Sequence, residues 1–205
     1  MAEGGSVDEE KRATLRQFAA LGAVGPFARL AEDEPDSGGG SDARNAILGY
    51  LGTTPGAHFS KVRDDLSLGT GETQHHLRQL VDAGVVESYR DGEYRRFVPA
   101  ERFTSFDKLA LGYLRRETPR GMLVALLADP DLTGSELASI LDVSPATVST
   151  CASELVEVGL LARDDGYRIE HPETLIALLI RYADSFDERT VSFASRAHEL
   201  FTYDP

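Results

Sequence analysis

Two stretches of this chain, 75 residues apart, carry the same order of apolar residues and chain breakers. Moving the first forward by that offset lays Leu66 on Leu141, Leu68 on Val143, Leu80 on Leu155, Val81 on Val156 and Gly84 on Gly159. The same shift takes Val62 to Leu137, Ile47 to Met122 and Pro55 to Pro130. Apolar positions and breakers that coincide over so long a span are the mark of an internal repeat. A duplicated unit of this size favours two small domains with related cores over one large one, and 205 residues suffice for both.

The unit is most legible between Leu66 and Val98. Gly69, Thr70 and Gly71 break the chain and offer a hydroxyl to cap the next helix. Glu72 to Ala83 reads as that helix, with Leu77, Leu80 and Val81 on one face and Thr73 at its upper edge, ended by Gly84 in a left-handed cap. Val85 to Tyr89 and Tyr94 to Val98 then pair across Arg90-Asp91-Gly92-Glu93, because Asp-Gly supplies the positive φ angles of a tight hairpin. Upstream, Ser41 or Asp42 caps a helix carrying Ala46, Ile47, Tyr50 and Leu51, stopped by TTPG, and Phe59, Val62 and Leu66 mark a second short helix begun near Ser60.

The second copy opens at Thr118-Pro119, continues through LTGSELASIL and SPATVSTCASELVEVG, and closes with a short ribbon turning at Asp164-Asp165-Gly166. Ser144 followed by Pro145 is a helix start with its cap and first-turn proline. The expected organisation is residues 1–40 as an N-terminal helix and flexible linker, 41–98 as the first unit, and 99–117 as a connecting helix. Residues 118–170 form the second unit and 171–205 the C-terminal helices. The first helix, Asp8 to Leu21, sets Leu15, Phe18 and Leu21 on one side and either covers a core or a second subunit or is a loosely held leader; Phe27 and Leu30 suggest a further turn or two before the EDEPDSGGGS connection. Phe103, Phe106, Leu109, Ala110 and Tyr113 give the connecting helix a buried stripe. At the C-terminus Leu175, Ile176, Leu178, Leu179 and Tyr182, then Val191, Ala194, Ala197, Leu200 and Phe201, build apolar faces suited to a homodimer.

Composition excludes several classes. No apolar run reaches the roughly 18 residues of a membrane span, and the acidic start reads as no signal peptide, so a soluble cytoplasmic protein is expected. A single cysteine, Cys151, forbids an intrachain disulfide and a cysteine-rich zinc site; beside Glu154 it reads as a half-buried filler. His58, His75 and His76 lack the spacing of a metal site, since adjacent helical residues diverge by about 100°. GTGETQ lacks the glycine and lysine of phosphate loops, and no HExxH, CxxC or GxSxG occurs, so no catalytic residue and no cofactor is expected. Net charge is −13, with three lysines beside 18 arginines, a balance resembling proteins of salt-loving archaea.

HFSKVRDDLSLGTGETQHHLRQLVDAGVV and LTGSELASILDVSPATVSTCASELVEVGLL resemble the winged helix-turn-helix transcriptional regulators of the MarR-like and ArsR-like type, and with the acidic composition a haloarchaeal tandem version. The resemblance covers residues 43–170. The expected fold is thus mainly α with small β-wings: two tandem winged helix-turn-helix domains plus N- and C-terminal helices. It implies double-stranded DNA as partner, bound by a dimer on a two-fold site.

Residue chemistry then selects the candidate contacts. Gln74, His75, His76, Arg78 and Gln79 lie on or beside the outward face of the first unit's third helix, where Arg and Gln can pair with guanine and adenine edges. Arg90, Tyr94, Arg95 and Arg96 on the ribbon suit phosphates or the minor groove. The second unit offers Ser144, Thr147 and Thr150 as secondary DNA contacts, among Ala146, Ser153 and Glu154. Residues 41–98 hold seven basic and eight acidic side chains against two and seven in 133–171, which favours the first unit as the reader. The competing expectation is an acidic tandem winged-helix scaffold of the chromosome-condensation or transcription-complex type, with the second unit holding a protein partner.

Overall fold

The computed structural model describes residues 13–21 and 40–197, and its chain divides into two compact units, residues 1–108 and 109–205. The expected turn at Phe27 and Leu30, the connection as far as Gly39, and Leu200 and Phe201 lie outside the described residues.

In the first unit, helix α1 (13–21) is followed by α2 (Gly40–Thr53), β1 (Ala57–His58), α3 (Phe59–Asp65), α4 (Thr70–Asp82), β2 (Val86–Asp91) and β3 (Tyr94–Pro99). Ile47, Leu51, Val62, Leu66, Leu77, Leu80 and Phe97 fill one core. Each such side chain contributes roughly 1.5–3 kcal/mol relative to exposure. Leu15 and Phe18 of α1 pack against this core, Phe18 edge-on to Tyr50 with ring centres 5.4 Å apart, while Leu21 stays exposed. Leu15 and Phe18 thereby cover part of this core.

The ribbon is a three-stranded antiparallel sheet in the order β1-β3-β2. Its β1 strand, two residues long, has no signature in the sequence. The hairpin is tighter than its sequence suggests: Arg90 and Asp91 belong to β2, Asp91 faces Tyr94, and only Gly92-Glu93 turn. Gly92 carries the positive φ of 59° while Glu93 does not, the pattern of a type II′ turn. The expected hydroxyl cap on α4 is also absent. Gly69 itself is the N-cap, and the Glu72 carboxylate accepts its N–H at 3.3 Å.

Helix α5 (Ser105–Leu114) carries the chain from one unit to the next, with Lys108 paired to Glu87. The second unit comprises α6 (Glu117–Ala128), α7 (Gly134–Leu141), α8 (Pro145–Glu157), β4 (Leu161–Arg163), β5 (Tyr167–Ile169), α9 (Pro172–Arg181), a 3-10 turn (Ala183–Ser185) and α10 (Glu188–Arg196). The repeat is structural as well as sequential. Adding 75 to the ends of α4 gives the ends of α8, and Gly84 (φ 69°) and Gly159 (φ 72°) close the two helices alike. Ser67 (φ 53°) and Asp142 (φ 55°) hold the same left-handed position in the preceding turns. Ser144 caps α8 by accepting the Thr147 N–H at 3.1 Å, and Thr133 with Glu136 forms a capping box on α7.

Past the second ribbon, α9 and α10 turn most of their apolar face inward: Leu175, Leu179, Tyr182, Phe193 and Ala197 are buried. Arg120, itself buried, donates to Asp187 at 2.7 and 3.0 Å and to the Leu114 carbonyl at 2.9 Å. Arg115 donates to the Ser185 carbonyl at 2.8 Å and stacks on Phe186. These contacts make the C-terminal helices part of the second unit's own packing, leaving Ile180 and Val191 exposed.

Candidate nucleic-acid interface

On α4, Gln74, His75, Arg78 and Gln79 are exposed, one spine of polar groups along the face opposite Leu77 and Leu80. The Arg78 side chain is 82% accessible, and its Nε lies 3.6 Å from Asp82. An exposed pair of this kind contributes little and leaves the guanidinium able to swing to another anion.

His76 departs from expectation. It is buried beneath this face, where the apolar side of the helix begins, with its ring 5.2 Å from that of His75. Burial, opposed by a hydrogen bond with Gln79, pulls its pKa below the ordinary histidine value. It is therefore a neutral packing residue and not a surface contact.

Burial along the hairpin divides the wing, exposed at the tip and buried toward its base. Arg90, Tyr94 and Arg95 are exposed, and Arg95 donates to Ser88 Oγ at 2.8 Å with its guanidinium 5.5 Å from the Phe97 ring. Arg96 corrects a second expectation. It is 2% exposed, donating to Asp91 at 2.6 Å and to the Gly56 carbonyl at 2.9 Å, so it belongs to the interior.

Between helix and wing lies a cleft of about 650 Å³. Thr70, Gln74 and Arg78 form one wall, Arg95 stands on the other, and Phe59, Leu77, Val81 and Phe97 form its floor. Thr70, expected only as a source of a capping hydroxyl, and Ser88, which no sequence expectation included, sit beside the polar groups of this face.

The second unit repeats the shape without the charge. On α8, Ala146, Thr147, Thr150, Ser153 and Glu154 are exposed, and Ser144 is engaged as the cap. Its two wing arginines are occupied: Arg168 pairs with Glu170 at 2.6 Å and with Asp164 at 3.7 Å, while Arg163 stacks on Tyr167. Arg116, which precedes α6, reaches this helix and lies 3.6 Å from Glu154, beside Thr147 and Thr150 in a cavity of about 540 Å³. Cys151 is buried on the inner side, and burial followed by the Glu154 charge pushes its thiol up to about 11, so no thiolate forms near neutrality.

His58 has a structural use, accepting the Lys61 N–H through Nδ1 at 3.3 Å as the cap of α3. Among the described residues no helix is long and apolar enough to cross a membrane.

Comparison with known proteins agrees with this geometry. Residues 41–111 match a family described as an N-terminal HTH domain, and residues 115–161 match one described as winged helix-turn-helix DNA-binding. An uncharacterized HTH-type transcriptional regulator of Methanocaldococcus jannaschii is 27% identical over 130 residues, which is 63% of this chain. That stretch is 32% of the relative, so the chain spans about a third of its length. Neither description names a catalytic activity, and the scaffold alternative gains no support from them. With one match ending at residue 111 and the next beginning at 115, the chain carries two helix-turn-helix modules in tandem, each built here as a winged helix and the second matching a winged helix-turn-helix DNA-binding family.

Proposed function

We propose that this protein is a cytoplasmic transcriptional regulator that reads duplex DNA with the recognition helix and wing of its first module. The observation that carries this reading is the contrast between the two modules. On the first, Gln74, His75, Arg78 and Gln79 on α4 and Arg90, Tyr94 and Arg95 on the wing are all exposed. On the second, the α8 face carries no basic side chain, and the exposed wing Arg168 lies against Glu170 and Asp164. Gln and Arg on a helix face can each make paired hydrogen bonds to base edges, and wing arginines neutralise phosphates. Thr147 and Thr150 give the second module a minor share in phosphate contact, and its acidic surface suits a protein partner better than DNA.

The experiment is genomic occupancy of the native protein against an Arg78→Ala/Arg95→Ala variant. Discrete sites lost in the variant are expected. A native protein without discrete sites, or a variant that keeps them all, removes the DNA-reading assignment.

The protein further acts as a homodimer in this proposal, since DNA regulators of this shape read two-fold sites. Ile180 and Val191 are exposed large apolar side chains of α9 and α10. An Ile180→Glu/Val191→Glu variant should elute as a monomer on sizing chromatography where the native chain elutes as a dimer; equal elution of the two refutes this interface.

A further inference from the structure

Arg96 belongs by composition to the basic wing and by geometry to its frame. It sits on β3 opposite Tyr89 of β2 and His58 of β1, the middle strand of three. Its Nε donates to Asp91, the last residue of β2 before the turn, and its Nη1 donates to the carbonyl of Gly56, just ahead of β1. One planar guanidinium thus joins the tip side of the hairpin to a segment 40 residues earlier in the chain. Tyr94 lies against this pair, its ring 5.3 Å from the Arg96 guanidinium and 5.0 Å from the His58 ring. Because β1 offers only two residues to the ladder, backbone pairing alone ties this edge weakly.

We infer that Arg96 and Asp91 are positioning residues for DNA recognition, a buried pair that holds the wing where the exposed Arg90 and Arg95 can meet the DNA backbone. The inference rests on the proposed reading of DNA by the first module. Arg96 is too buried to touch phosphate itself, and Asp91, an acid in a DNA-binding wing, is explained by its partner and not by the ligand.

The test uses the full chain and a duplex that the native protein itself enriches from a random-sequence library. Asp91→Asn and Arg96→Met should each speed hydrogen exchange at the Gly92 to Arg95 amides while α4 amides keep their protection. Each should weaken binding about tenfold, the worth of one lost arginine contact, and the double variant should bind no more weakly than either single one. Each should also lower the logarithmic salt slope, as Arg95→Ala does by about one unit, because a displaced wing gives up phosphate contacts made by Arg90 and Arg95. If Asp91→Asn instead tightens binding while Arg96→Met lowers that slope by about one unit, Arg96 contacts phosphate and the positioning role is wrong. Should Arg96→Met fail to fold, Asp91→Asn decides alone: unaltered exchange or unaltered affinity overturns the inference. A native chain that enriches no duplex overturns the DNA reading itself, while a native chain that binds beside an indifferent Asp91→Asn overturns only the positioning role.

Discussion

At the scale of single residues, the two modules differ most where a side chain does local work. Position 69 is a bare glycine cap, and its equivalent, Ser144, closes the helix with a hydroxyl. Replacing Ser144 by Ala should cost about 1 kcal/mol, and Gly69→Ser should gain a few tenths. A Cβ at Gly69 meets nothing closer than 3.9 Å, so space is no obstacle. Urea denaturation checks both, and a destabilising Gly69→Ser would show that the Glu72 contact already satisfies that end. Histidine supplies a second case. His76 is depressed by burial, opposed by Gln79 and Glu72, and lowered further by His75 and Arg44. His58 is lowered by burial, then by Arg96 and Lys61, against Asp64 and Asp65. A base whose folded pKa lies below its unfolded value of 6.5 takes up more protons when unfolded. Their contribution to stability is therefore full above 6.5 and is lost as pH falls from there through the depressed values. The melting temperature should decline as pH falls from about 7 through the histidine range, and a His58→Asn/His76→Leu variant should flatten that decline; parallel curves for the two proteins would refute it. Neither histidine role is legible in the sequence. His76 lies one step round the helix from Thr73 and Leu77, close enough to the apolar face that burial depends on the width of the core. That width is a tertiary fact.

At the scale of elements, what repeats is legible and what bends is not. Glycine and proline spacing locates α4, α8 and both ribbons, because breakers act locally and the 75-residue offset supplies a second reading of each. Strand β1 escapes, since two residues show no periodicity. Arg96 misleads for a different reason. Arg95 and Arg96 are neighbours on one strand whose burial runs from exposed at the hairpin tip to buried at its base, so no local period marks Arg96 as interior. The C-terminal helices are legible as helices, but their apolar faces fit the second unit through Arg115, Arg120 and Asp187, contacts that no local pattern announces. Helix crossing offers a further test. A Cβ at Gly121 on α6 would lie 2.6 Å from the Leu141 side-chain terminus on α7, while the first module has Ala46 at the equivalent place. Gly121→Val should therefore destabilise by roughly 1–3 kcal/mol through overpacking, with Gly121→Ala costing less because Leu141 can shift. An unchanged denaturation midpoint for the valine variant would mean that α6 and α7 do not approach as closely as this.

At the scale of the whole molecule, one skeleton serves twice and charge separates the copies. The chain carries −13 overall, yet residues 41–98 are nearly neutral. A regulator built this way must hold a polyanion while itself an anion, and the arrangement of carboxylates decides how it does so. Three exposed arginines, Arg78, Arg90 and Arg95, would alone give a slope of about −2.7 for log affinity against log salt, or roughly a 500-fold loss over a tenfold rise. Asp82 and Glu93 stand close to those arginines in sequence, and Asp82 lies 3.6 Å from Arg78. When phosphates arrive, such carboxylates take up cations that oppose the cations released from the duplex. Affinity for an enriched duplex should consequently fall less than about tenfold between about 0.2 and 2 M potassium chloride. Asp82→Asn/Glu93→Gln should bind more tightly at the low end and recover a steeper slope. A native slope near −2.7, or a variant with the native slope, would show that the acidic surface only keeps the protein dispersed in salt and takes no part in reading DNA.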